Sequence, residues 1–279
     1  MLLFYGVFGP FGKKKTKLLG ALVAPSFLRR ITKVYINDIS LRKAEWFATL
    51  SALAYKNEKT HKQFFESEGI GTFKSLDKDG TQAIMYYNGG EIGIVFRGTE
   101  PTEFKDILAD MDIRKKKAKK DDGFVHSGFQ ESLDDLWEDI VSFINNYDNY
   151  TRLYFAGHSL GAALAVLAAA RINKCTVYTF GCPRVGGRKF VKQNKNILHW
   201  RFVNNNDIVT RIPTFIRWKH HGYRVYIDRR GKVSSAVGLY LFVDLILGHL
   251  SSWAKLKPFD SFSDHSILKY VKHIKASTT

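Results

Sequence analysis

The sequence predicts an α/β fold, a central sheet flanked by helices, and three observations carry that prediction. β-prone runs alternate with longer helix-prone runs along most of the chain. One apolar run, Arg152-Leu153-Tyr154-Phe155-Ala156, passes through Gly157-His158-Ser159-Leu160-Gly161 straight into the Ala-rich stretch 162–171. The length of 279 residues and the 45% hydrophobic content suit one large domain with a substantial core.

The elements follow in chain order. Residues 1–35 form an apolar and basic N-terminal extension, and the domain occupies 36–279. Residues 41–55 read as a helix, and 71–78 as a plain loop. Gln82 to Tyr87 and Glu91 to Phe96 read as a hairpin across Asn88-Gly89-Gly90, whose residues tolerate the positive φ of a tight turn. Phe104, Ile107, Leu108 and Met111 recur at helical spacing after Pro101, which suits a first turn, so 100–111 reads as a short amphipathic helix. Residues 109–113 also fit a short strand. Residues 128–147, 160–172 and 267–274 read as helices, and 175–180 and 197–203 as strands. Lys192 to Asn196 reads as a loop, and 236–250 as a buried core helix or an apolar segment near the site.

Charge and cysteines bound the class. The net charge is +17, with clusters at Lys13 to Lys17 and Arg114 to Lys120. No zinc spacing or nucleic-acid-binding signature accompanies them, which disfavours nucleic acid as a partner. The run 114–120 reads either as a solvated loop or as a patch drawn to anionic lipid. Cys175 and Cys182 bracket one expected strand, roughly 23 Å apart if extended, too far to bridge. Free cysteines and a poor signal peptide point to a reducing, cytoplasmic compartment, with contact at membranes only peripheral. No run reaches the length of a transmembrane helix.

The chemistry centres on Ser159. A serine on a sharp strand-to-helix turn has its hydroxyl raised above the sheet. Gly157 and Gly161 are expected because strand and helix approach there too closely for a Cβ. The helix start aims free N–H groups at an anion formed beside the serine. A nucleophilic serine needs a base and a group that orients the base, in the order Ser, acid, His. The best acid is Asp207, where an apolar run enters a polar loop; its competitors are Asp228, Asp244, Asp260 and Asp264. The best base is His265, just before the C-terminal helix. Spacing alone leaves His199, His220, His221, His249 and His273 open.

Ordered motifs then narrow the choice. Val95-Phe96-Arg97-Gly98-Thr99, Val125-His126-Ser127-Gly128-Phe129, the elbow with its His158, Thr179-Phe180-Gly181-Cys182-Pro183-Arg184-Val185-Gly186, Asn206-Asp207-Ile208-Val209 and Asp264-His265-Ser266 occur in sequence. In this order they resemble the class 3, fungal-type lipase family of α/β-hydrolases over most of residues 40–275. The resemblance implies a mostly parallel sheet and a short lid helix bearing Phe104, Ile107 and Leu108. It implies a triad of Ser159, Asp207 and His265, an oxyanion hole from Thr99 and the Leu160 N–H, and a structural His126. The implied activity is hydrolysis of lipid esters, acylglycerols first, without metal or organic cofactor. Phospholipase A1, a soluble esterase and an inactive lipase-like interaction domain are the alternatives.

Overall fold

A computed structural model describes residues 41–99, 115–119, 123–213, 216–234 and 263–278. The chain divides into two compact units, Met1–Ile39 and Ser40–Thr279. The first unit, the suggested lid residues Phe104, Ile107 and Leu108, residues 109–113 and the apolar segment 236–250 lie outside the described residues.

An eight-stranded sheet forms the centre, in the order β1-β2-β3-β6-β7-β9-β11-β12. β3 (Glu91–Phe96), β6 (Arg152–His158), β7 (Thr176–Phe180), β9 (Leu198–Asn204) and β11 (Tyr223–Ile227) run parallel. β1 (Thr72–Lys78) and β2 (Thr81–Asn88) add an antiparallel flank, and β12 (Val233–Ser234) closes the other edge antiparallel to β11. Residues 72–78, read as a loop, are therefore a strand. Their burial is slight, with only Leu76 buried, so the segment lacks the apolar alternation that marks a strand. The β2–β3 hairpin is as expected, with Gly89 at φ 53° and Gly90 at φ 78° in its turn.

The sheet is covered on both faces, and β6 shows why. Consecutive side chains of a strand point to opposite faces. Phe155 joins the apolar cluster built by α3 (Ser127–Asn145) and α4 (Leu160–Ile172). Its neighbour Tyr154 meets Phe47 of α1 (Leu41–Leu53), ring centres 5.2 Å apart, on the other face. Helix α4 is buried from Gly161 to Ala170 because it lies between the sheet and α3; its small side chains allow that sandwiching. Helix α6 (Ile267–Lys275) packs beside α1 through Tyr270 and Ile274. Two short α-helices complete the described α-helices: α2 (Glu58–Ser67), capped by the Asn57 side chain at Thr60 N, and α5 (Arg188–Gln193), which takes in Lys192 from the segment read as loop.

A second, four-stranded sheet has the order β10-β8-β5-β4. It comprises β4 (Lys115–Lys117), β5 (Phe124–His126), β8 (Gly186–Gly187) and β10 (Trp218–Lys219). The core of the lysine run is thus an edge strand and not a solvated loop. Lys116 approaches Glu131 at 3.3 Å and Lys119 approaches Asp134 at 2.8 Å, both acids on α3. Gln130 of α3 also donates to Lys117 O and accepts from Lys119 N. Backbone pairing with β5 makes Lys115–Lys117 a strand, and the acids that meet Lys116 and Lys119 come from α3, which the local sequence does not show. Lysines on an edge also discourage pairing with foreign strands.

Candidate active site

The elbow stands at the C-terminal end of β6, between β3 and β7. Ser159 has φ 59° and ψ −125°, a left-handed conformation that costs a non-glycine residue on the order of 1–3 kcal/mol. Its N–H bonds Phe180 O at 3.1 Å, which ties the strained residue to the end of β7. The two elbow glycines are required by contact. A Cβ on Gly157 would fall 2.4 Å from the Gly161 carbonyl, and one on Gly161 would fall 2.2 Å from Phe96 O.

Three sequence candidates meet here. His265 Nε2 lies 2.8 Å from Ser159 Oγ, and His265 Nδ1 lies 2.9 and 3.0 Å from the two oxygens of Asp207. A carboxylate only accepts, so Nδ1 carries the proton and the Nε2 lone pair faces the serine hydroxyl. Gly181, at φ 64°, leaves room for this pair: a Cβ there would lie 2.8 Å from both Asp207 Oδ2 and the His265 ring. All three residues are buried, with Ser159 and Asp207 at 0% and His265 at 4% exposure.

The carboxylate is held from several sides. Tyr270 Oη donates to Asp207 Oδ2 at 2.6 Å and accepts the Asn204 N–H at 3.0 Å. Val209 N–H donates to Asp207 Oδ1 at 2.9 Å. Burial pushes the Asp207 carboxyl up, but His265 and the hydrogen bonds from His265 and Tyr270 outweigh it, and the net shift is downward. The opposite holds for the Tyr270 hydroxyl, which burial and Asp207 raise well above its ordinary value.

His158 holds the histidine turn from below. Its Nε2 lies 2.6 Å from His265 O, and its Nδ1 lies 2.8 Å from Tyr55 Oη. The carbonyl fixes the proton on Nε2, so Nδ1 accepts from the tyrosine. Burial, then His265, pushes the His158 imidazole down to about 3, so it stays neutral. Tyr55 and Tyr270 were not singled out from sequence. Tyr55 acts across 103 positions and leaves no local signal. Tyr270 lies in α6, which starts two residues after His265, so its nearness to that histidine in the sequence was the available signal.

The remaining candidates sort by contact. Gly98 is in van der Waals range of the site, since a Cβ there would lie 3.1 Å from Ser159 Cβ; Thr99 follows it. Leu160 is the first residue of α4, where N–H groups have no intrahelical acceptor. His126 precedes α3 and packs on Phe129, ring centres 4.3 Å apart. Asp228 is a turn residue whose carboxylate accepts from Arg230 N and Lys232 N. Asp264 binds Lys269 at 3.0 Å and leaves the His265 ring to Asp207. His199 and His221 pair with each other, and His220 bonds Thr210 O. His273 packs against Gly231. Asp244, Asp260 and His249 lie outside the described residues. Cys175 and Cys182 are unbridged, and burial pushes the Cys182 thiol up to about 12. Among the described residues no group of three His, Cys, Asp or Glu side chains is arranged to hold a metal ion. No described helix is long and apolar enough to cross a membrane.

Known proteins resemble this chain in sequence and in fold. The chain is 38% identical over 127 residues to the toxin TseL of Vibrio cholerae, covering 42% of this chain and 19% of that protein. It is 30% identical over 190 residues to the secreted mono- and diacylglycerol lipase MDL2 of Malassezia globosa, covering 60% of this chain and 62% of that one. The chain therefore spans less than two thirds of the length of either relative. The lipase structure from Rhizopus microsporus var. chinensis superposes with a TM-score of 0.63 at 23% identity, over 81% of this chain and 85% of that one, which shows a shared α/β-hydrolase fold. Residues 93–216, which hold most of β3, the elbow and the Asp207 loop, match the family model described as Lipase (class 3).

Proposed function

We propose that this chain is a serine hydrolase that cleaves carboxylic esters of lipids, with acylglycerols as its first substrate class. The observation that carries the reading is the continuous line Ser159 Oγ, His265, Asp207, with 2.8 and 2.9 Å contacts, mounted on a strained elbow. Ser159 attacks the ester carbonyl while His265 Nε2 takes its proton. His265 then returns that proton to the leaving alcohol. Asp207 keeps the histidine in the accepting tautomer and stabilises the imidazolium. The tetrahedral oxyanion forms beside the start of α4, where the Leu160 N–H and Thr99 are the proposed donors. Water, activated by His265, then releases the acid from Ser159. These steps use only the chain's own groups.

The substrate class is supported by the match of residues 93–216 to the Lipase (class 3) model and by the naming of the Malassezia relative as a mono- and diacylglycerol lipase. A buried Ser159 fits a site that opens before a lipid reaches it. Phe104, Ile107 and Leu108 remain the proposed lid. Attraction of the run 114–120 to anionic lipid is the weaker reading, because Lys116 and Lys119 face acids on α3. Hydrolysis of triolein, a monoacylglycerol, phosphatidylcholine and a short p-nitrophenyl ester by one preparation tests the reading. Turnover of the acylglycerols, abolished in Ser159→Ala, is expected. Turnover of phosphatidylcholine alone would replace acylglycerol lipase by phospholipase. Inertness on all four would remove the enzymatic reading.

A further inference from the structure

A concentration of positive charge lies beside the site, in segments the sequence does not flag. The β11–β12 connection reads Asp228-Arg229-Arg230-Gly231-Lys232. Helix α6 carries Lys269, Lys272, His273 and Lys275 and contains no carboxylate. The two segments touch: a Cβ on Gly231 would fall 2.2 Å from His273 Nδ1, so the turn lies directly on the helix.

Among the described residues the nearby carboxylates are few: Asp228, Asp264 and Glu45 of α1, which accepts from Thr278 beyond the end of α6 at 2.6 Å. Asp228 is 4% exposed, and its carboxylate accepts the N–H groups of Arg230 and Lys232. Asp264 is 8% exposed and binds Lys269. Arg230, Lys232 and Lys272 are exposed and make no ion pair among the described residues. Burial, then Lys272 and Lys269, push the His273 imidazole below its ordinary value, as expected where cations crowd. The lysine run at β4 differs, since α3 supplies Glu131 to Lys116 and Asp134 to Lys119, two residues past the strand.

The patch also stands in a useful place. The Asn205 N–H bonds Ile227 O at 2.8 Å, so the basic turn leaves β11 alongside the loop that carries Asp207. Helix α6 starts two residues after His265. The cations therefore border the C-terminal end of the parallel sheet, the end at which Ser159 stands. Leu268, 68% exposed, opens the same helix, and Leu268, Lys272 and Lys275 share one stripe by their spacing of four and three. An apolar residue among cations is the composition that settles at a lipid headgroup boundary.

We propose that the face formed by the β11–β12 turn and α6, centred on Arg230, Lys232 and Lys272 with Leu268 at its rim, docks the protein on a lipid surface bearing anionic headgroups. This rests on reading the neighbouring site as one for lipid esters. Docking there brings the sheet end that carries Ser159 to the surface. Lysines and arginines near an anionic leaflet each contribute about fivefold in binding, over distances set by the Debye length.

Sedimentation with vesicles tests the face apart from catalysis. Ser159→Ala protein, which cannot consume the lipid, is mixed at low salt with phosphatidylcholine vesicles with or without phosphatidylglycerol. Binding should require phosphatidylglycerol. Adding Arg230→Gln, Lys232→Gln and Lys272→Gln should weaken it on the order of a hundredfold, a gap that closes as salt rises. The same triple change in active protein should leave a soluble short-chain ester's hydrolysis unchanged, which checks the fold. Equal binding by the triple variant, or equal binding to both vesicle types, overturns the proposal. So does loss of binding on changing Lys116, Lys117 and Lys119 instead. Vesicle binding by a protein that hydrolyses no ester would leave the docking face standing and remove the reading of the site. Ester hydrolysis without vesicle binding would do the reverse.

Discussion

Strand β9 carries a buried histidine network at each end. At its start, His199 Nε2 lies 2.7 Å from Thr179 Oγ1, and His199 Nδ1 lies 3.0 Å from His221 Nδ1. His221 Nε2 lies 2.9 Å from Asn194 O. That carbonyl must accept, which orders every proton: His221 donates to Asn194, His199 donates to His221, and Thr179 donates to His199. At its end, β9 leads to Asp207, and there Ser159 faces His265, which faces the carboxylate. Both networks therefore hold a hydroxyl donating to an imidazole. They differ in what stands behind the imidazole. A neutral ring backs His199, and burial, then His221 and Arg201, push it well below its ordinary value. A carboxylate backs His265. They differ also at the hydroxyl, since Thr179 lies within strand β7 and Ser159 on a strained elbow beside a helix start. A hydroxyl–imidazole contact is thus not itself a nucleophilic site; the charge behind it and the donors in front of it make one.

The largest expected effect separates the two ends. Ser159→Ala, His265→Ala and Asp207→Asn should each lower kcat for ester hydrolysis by roughly 10³-fold or more, with the fold retained. Thr179→Val and His199→Phe should change kcat of the folded protein by less than about threefold, while lowering Tm. Comparable kinetic loss from Thr179→Val would erase the distinction.

Acid should expose what the ends share. The folded-state values of His158, His199, His220 and His221 all lie below 6.5, with His158 at about 3. Between those values and 6.5 the unfolded chain binds more protons than the folded one. Stability is therefore flat above pH 6.5 and falls as pH drops below it, by up to about 1.4 kcal/mol per pH unit for each such ring. Asp207, also lowered, adds its loss only as pH falls below 3.8. Urea unfolding at a series of pH values between 7 and 4 reads this directly. His199→Gln with His221→Gln should flatten the slope, and an unchanged slope would show that these rings are protonated in the folded state.

Smaller effects sharpen the two sides. Tyr270→Phe removes one hydrogen bond to Asp207 and leaves two donors in place, so kcat should fall by about tenfold with KM unchanged. A change in KM alone would mean that Tyr270 shapes the binding site. Lys116→Gln with Lys119→Gln removes exposed ion pairs and should alter stability by no more than about 1 kcal/mol.

The meeting of Ser159, His265 and Asp207 could be anticipated from the sequence because its parts are local. The elbow needs a serine between glycines at a strand–helix junction, and helix α4 matches its expected bounds, Leu160–Ile172. Asp207 and His265 each emerge from one segment. The groups that hold them do not: Tyr55 reaches His158 from the end of α1, and His158 reaches the His265 carbonyl across 107 positions. The His199 network escaped for the same reason, since its partners come from β7, α5 and the chain before β11. Charge misled for a related cause. The lysines at and just after β4 read as a free cluster because Glu131 and Asp134 sit on another element, while the cations of α6 and the β11–β12 turn come from separate segments and meet only in space. β1 was missed because its outer face is polar, so packing and not pattern decides it.

Labelling with a fluorophosphonate ester, followed by proteolysis and mass spectrometry, tests the serine mechanism most directly. A single adduct is expected, on Ser159, with His265→Ala labelling at least about 10³-fold more slowly and Thr179→Val labelling at the unaltered rate. An adduct on another serine, or ester hydrolysis by Ser159→Ala at the unaltered rate, would contradict the role given to the Ser159, His265 and Asp207 line.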